Sequence, residues 1–146
     1  MKELKILVLA LLSMLVIGLL PITLIMKVAT ACYLCFIFGL YYRKNRKVHV
    51  RLMATGIAGD LSIVLLLEFQ RAAIDTALSF KLGFWQQLHI GSSFTAVILY
   101  IPVIYLGSSI IFGGSSLKKR LWHIRIALVA FIFRTMGFLL MFTLLK

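Results

Sequence analysis

Apolar residues fill most of this chain in five long runs: Ile6 to Met26, Val28 to Tyr42, Leu52 to Leu67, Leu88 to Phe112 and Ile126 to Leu145. Crossing a bilayer takes about 20 apolar residues, so Val28 to Tyr42 is short and Leu52 to Leu67 must recruit its flanks. The pattern predicts an all-α, polytopic transmembrane helical bundle of five spans, over about 4–21, 24–42, 50–71, 88–112 and 122–145. Together they make one transmembrane domain, 1–146, with no room for a soluble one. Four spans result if the first two are one helix. A single helix from Leu4 to Tyr42 would be about 58 Å long, roughly twice the hydrocarbon thickness. A hairpin turning between Pro21 and Lys27 fits better, although no polar loop marks it.

Polar punctuation supports the remaining boundaries. Gly113-Gly114-Ser115-Ser116 reads as a turn. Phe84-Trp85 and Trp122 stand where interfacial aromatics belong, and Pro102 should kink its helix. Lys2 and Lys5 before the first run, with Ala29-Thr30-Ala31 after it, resemble a secretory signal. That run is too long for one, and cleavage would strip the next span, so the reading is an uncleaved anchor.

Composition narrows the class further. Hydrophobic residues make up 62% of the 146 and only four residues are acidic, which identifies an integral membrane protein. The net charge of +12 is no nucleic-acid signature, because the basic residues sit in short stretches between apolar runs. One cluster is Arg43, Lys44, Arg46, Lys47 and Arg51; the other is Lys118, Lys119, Arg120 and Arg125. Positive charge is retained on the cytoplasmic side. The expectation is therefore a multi-pass membrane protein with loops 43–51 and 113–121 cytoplasmic. The 72–87 loop and the C-terminus are then external, and anionic lipid headgroups are the expected partners of the basic loops.

Two of the predicted helices repeat one arrangement. His49 is followed eleven residues later by Asp60, and His123 eleven residues later by Arg134. Eleven residues are close to three turns, placing each pair on one face about 16 Å apart along the axis. His49, Met53, Gly56, Asp60 and Leu67 form one stripe, and His123, Ala127, Ala130, Arg134 and Gly137 another. His89, Ser92, Ser93, Ala96 and Tyr100 line one side of the helix between. Small and polar residues on such stripes turn away from lipid.

Each cluster has two readings. Asp60 and Arg134, opposite charges at bilayer depth, are either an ion pair that clamps the helices or part of an ion or proton path. His49 and His123 are candidate ligands for haem iron or copper, or else contact headgroups and backbone. Glu68, Arg71 and His89 form an outer polar cluster, a proton relay or an interfacial salt bridge. Cys32 and Cys35 share a helix face; two thiols suit Cu(I), yet buried cysteine also serves as a small hydrophobe. No nucleotide loop or hydrolase motif occurs, so an enzyme is not expected.

Three stretches bear a family resemblance: Arg46-Lys-Val-His-Val-Arg-Leu-Met53, Leu88-His-Ile-Gly-Ser-Ser-Phe-Thr-Ala96 running on to Gly107, and Arg120-Leu-Trp-His-Ile-Arg125. They resemble the CtaM-like cytochrome oxidase maturation proteins, a family of small bacterial membrane proteins. The resemblance implies a helical bundle that supports assembly of a haem–copper terminal oxidase by handling haem or copper. His49, His89 and His123 then stand at the family's histidine positions. The chain departs from that family in having no histidine before His49 and in carrying Asp60 and Glu68. Two other functions remain open beside it: a small proton or solute transporter using Asp60, Glu68 and Arg134, and a structural accessory subunit of a membrane complex.

Overall fold

The computed structural model describes residues 8, 12–13, 15–19, 22–71, 82–114 and 116–142, with side chains through 69 in the second of the long helices. Four helices are long and apolar enough to cross a membrane: α1 (Leu24–Tyr41), α2 (Arg46–Arg71), α3 (Phe84–Phe112) and α4 (Leu117–Met141). Residues 15–19 add helical backbone before α1, and no strand occurs among the described residues. The protein is therefore an all-α, multi-pass membrane protein.

The chain divides into two compact units, Met1–Ile63 and Val64–Lys146, with the boundary inside α2. In the first, α1 and the start of α2 form an antiparallel hairpin. Its turn is short: the amide of Asn45 donates to the Tyr42 carbonyl at 2.8 Å, and Asn45 Oδ1 accepts from the Val48 amide at 3.4 Å. An asparagine at that position supplies the acceptor that a helix start lacks. The packing is close because glycines face bulk. Gly56 lies under the Phe36 ring, Gly59 receives Cys32 Sγ, and Gly39 lies under Met53.

In the second unit α3 and α4 form another antiparallel hairpin. Gly114 makes the turn possible with φ of 82°, a left-handed conformation that costs a side-chain-bearing residue about 1–2 kcal/mol. Ser116 caps α4 by accepting from the Lys119 amide at 3.2 Å. Ser92, Ala96 and Tyr100 of α3, and Ala130, Arg134, Gly137 and Met141 of α4, are buried. Those are the stripes read from the sequence. The outward faces are apolar, with Phe69, Ile101, Leu139 and Leu65 at 60–89% exposure, as lipid-facing residues should be.

Several expected boundaries move. α2 begins at Arg46 and α4 at Leu117, so the basic loops shrink from 43–51 and 113–121 to 42–45 and 113–116. The end of the hydrocarbon ends a span but not a helix, whose backbone bonds continue through charged residues. Likewise Phe84 to Gln87, expected in the external loop, already belong to α3. Its start is secured by Gln86 Oε1, which accepts from the Gly83 amide at 3.2 Å. α3 runs unbroken through Pro102. α4 is described as far as Met141, and 143–145 of the expected last span lie outside the described residues.

The single long helix from Leu4 to Tyr42 is excluded. Thr23 is extended (φ −61°, ψ 156°) and caps α1, its side chain accepting from the Met26 amide at 3.3 Å. Lys27 Nζ donates to the Gly18 carbonyl at 2.7 Å, so this lysine answers a backbone acceptor of the preceding segment. Much of the expected first span, about 4–21, lies outside the described residues.

Candidate functional site

Helix geometry fixes what each histidine can reach. His49 stands one turn into α2, at the level where α1 presents Gly39, and its Nδ1–H donates to the Gly39 carbonyl at 2.8 Å. A carbonyl only accepts, so Nδ1 carries a proton, and in the neutral ring Nε2 holds the lone pair. A methyl group on Gly39 would press on Met53 at 3.0 Å.

His89 repeats the device at the far end of the other hairpin. Its Nδ1–H donates to the Gly137 carbonyl at 2.7 Å, and the ring is half-buried. Ser92 and Ser93 pack on the same glycine, which lets α3 and α4 approach closely. Ser92 Oγ donates to the carbonyls of Leu88 and His89 at 2.8 and 3.0 Å, so a buried hydroxyl is satisfied by its own helix.

His123 lies at the basic end of that hairpin. Its Cε1 is 3.3 Å from where a Cβ on Gly107 would stand. Each hairpin thus pairs a glycine on its first helix with a histidine on its second, and then carries a charge eleven residues further on. The eleven-residue spacing is legible in the sequence, but the glycine that meets each ring, by its carbonyl at His49 and by its open face at His123, is not. Within α4, His123 and Gly137 are fourteen residues apart, about 21 Å along the axis, so His89 and His123 belong to opposite ends of one hairpin. A single metal ion does not take both.

Asp60 and Arg134 are the charged side chains buried among the described residues, at 5% and 8% exposure. Asp60 belongs to the first unit and Arg134 to the second. Glu68 is half-buried, and the Arg71 side chain of the expected outer cluster lies outside the described residues. Cys32 is buried and Cys35 half-buried, and neither is in a disulfide. With Cys32 Sγ seated against Gly59, its position is that of a packing group between α1 and α2.

Among the described residues no three histidine, cysteine or acidic side chains gather into one metal-binding group. No family model, curated protein or solved structure matches the chain.

Proposed function

We propose that this is a non-enzymatic membrane protein that supports assembly of a respiratory haem–copper oxidase and handles haem or copper through its histidines. The observation that supports a ligand role is the Nδ1–H bond to a backbone carbonyl made by His49 and by His89. Imidazoles that bind metals commonly donate the other ring N–H in this way, which fixes the tautomer and raises the basicity of Nε2. Haem, when bound, would supply an iron that accepts that lone pair; the chain's own task is to hold and orient the ring. The terminal oxidase as client rests on the resemblance of the three histidine-bearing stretches to the CtaM-like family. The charge pattern supports an orientation with the basic turns cytoplasmic, and the same resemblance supports a bacterial inner membrane.

The same two bonds favour a second reading, a structural accessory subunit, because each ties one helix of a hairpin to the other. Purified protein separates the two readings. Visible absorption of the oxidised and reduced protein, with metal analysis, should give a haem band or stoichiometric copper that is lost in His49→Ala. A colourless, metal-free protein whose client complex still assembles after replacement of all three histidines would overturn the ligand role.

A further inference from the structure

At the basic end of the α3–α4 hairpin lies an open notch of about 410 Å³, lined by Leu106, Ser116, Lys118, Lys119, Trp122 and Ile126. Its composition is divided. Leu106, Trp122 and Ile126 form an apolar floor that continues the lipid-facing surface. Ser116, Lys118 and Lys119 stand at the turn end, where the first residues of α4 carry the partial positive charge of a helix start. Lys118 is exposed, while Lys119 is half-buried and folds back until Nζ lies 3.9 Å from where a Cβ on Gly113 would stand. The Lys119 ammonium thus lies against the short turn, and Lys118 is the neighbouring lysine of the lining. Neither α3 nor α4 contains an acidic residue, so the hairpin brings no carboxylate of its own to this end.

We propose that this notch is a binding site for one anionic phospholipid of the adjoining leaflet. Its phosphate would lie against Lys118 and Lys119, and one acyl chain along Leu106, Trp122 and Ile126. Charge complementarity selects the occupant. A zwitterionic lipid satisfies the floor equally well but brings its own cation to the two lysines. Free phosphate satisfies the lysines but leaves the apolar floor uncovered. Trp122 suits the boundary between the two, where an indole has its ring in apolar contact and its N–H near water. Arg125 Cζ stands 6.0 Å from the centroid of that ring, which adds a third cation beside the notch.

Trp122 also makes the site measurable. The chain has two tryptophans, so Trp85→Phe leaves Trp122 as the sole reporter. The full chain is reconstituted in phosphatidylcholine vesicles, and quenching by brominated-chain phosphatidylglycerol is compared with quenching by brominated-chain phosphatidylcholine. Phosphatidylglycerol should show a relative association constant about fivefold higher for each lysine engaged. That preference should fall to near one in Lys118→Gln/Lys119→Gln and to an intermediate value in Lys118→Gln, whose side chain is exposed. Trp85, read in a Trp122→Phe protein, should show little preference. Excess inorganic phosphate should leave the quenching unchanged. Equal quenching by the two lipids, a preference that survives the double lysine substitution, or displacement by free phosphate would each overturn the proposal.

Discussion

A methyl group added at Gly137 would run into Ser93 Oγ, with Ser92 Oγ at 3.3 Å and the Ser93 amide at 3.4 Å. The clash is with the Ser93 hydroxyl, and with Ser92 Oγ also close either both hydroxyls shift or the two helices part slightly. Gly137→Ala should therefore destabilise the second hairpin by about 1–3 kcal/mol, and it should lengthen the His89 bond to the same residue's carbonyl. Gly91, on α3, has nothing within 4 Å of an added methyl. Gly91→Ala should be neutral or stabilising by up to about 1 kcal/mol, because alanine is the better helix former. Thermal unfolding in one mild detergent tests both; equal shifts would refute the close approach at Gly137. Gly59 makes a second case, since its added methyl would meet Cys32 Sγ. Gly59→Ala should destabilise, and adding Cys32→Ala should recover part of the loss, a coupling that independent sites would not show. At this scale the inward faces were legible, because a 3.6-residue period assigns Gly56, Asp60, Ser92, Ala96, Tyr100, Ala130, Arg134 and Gly137 to stripes. The acceptors of His49 and His89 were not, because a carbonyl has no sequence signature and the register of two packed helices sets which one is met.

Helix starts show what apolar patterning alone leaves open. Hydropathy locates where a span enters lipid, whereas the start of a helix is set by a side chain that answers its first free amides. Asn45 and Ser116 do this in the basic turns, which is why α2 and α4 begin before their apolar runs. Thr23 does it for α1 between two apolar stretches, where no polar loop advertised a break. Thr23→Ala should cost about 1 kcal/mol of local stability and speed hydrogen exchange at the Met26 amide. Thr23→Ser should preserve the slow exchange, since the hydroxyl is what accepts. Unchanged exchange in Thr23→Ala would mean that Thr23 is incidental and that the extended backbone there is fixed by something else. Elsewhere the hydroxyls turn inward on their own helices, with Thr30, Thr95, Ser108 and Thr135 each donating to the carbonyl four residues back at 2.8 Å. Such residues read as polar in the sequence, yet they cost little in lipid because each is satisfied locally.

Membrane topology follows from how many times the chain crosses between its two basic turns. Between Asn45 and Gly113 lie α2 and α3, each of membrane-spanning length at mean hydropathy of 1.8 and 2.0. Two crossings return the chain to the side from which it started, so both basic turns should lie on one side and Gly83 on the other. Charge demands the same result independently, since Arg43, Lys44, Arg46 and Lys47 and the Lys118–Arg120 group would all resist translocation. Single cysteines at Lys44, Gly83 and Ser116 in a Cys32→Ala/Cys35→Ala background should test this in sealed inside-out and right-side-out vesicles. A membrane-impermeant maleimide should label the Lys44 and Ser116 positions from the cytoplasmic face only and the Gly83 position from the external face only. Lys44 and Ser116 labelling from opposite faces would mean that α2 or α3 lies along the surface. If α2 is that surface helix, Asp60, buried at 5% exposure in its middle, is not at bilayer depth. Labelling as expected would instead keep Asp60 in hydrocarbon, where its charge is costly enough to require a reason for its presence.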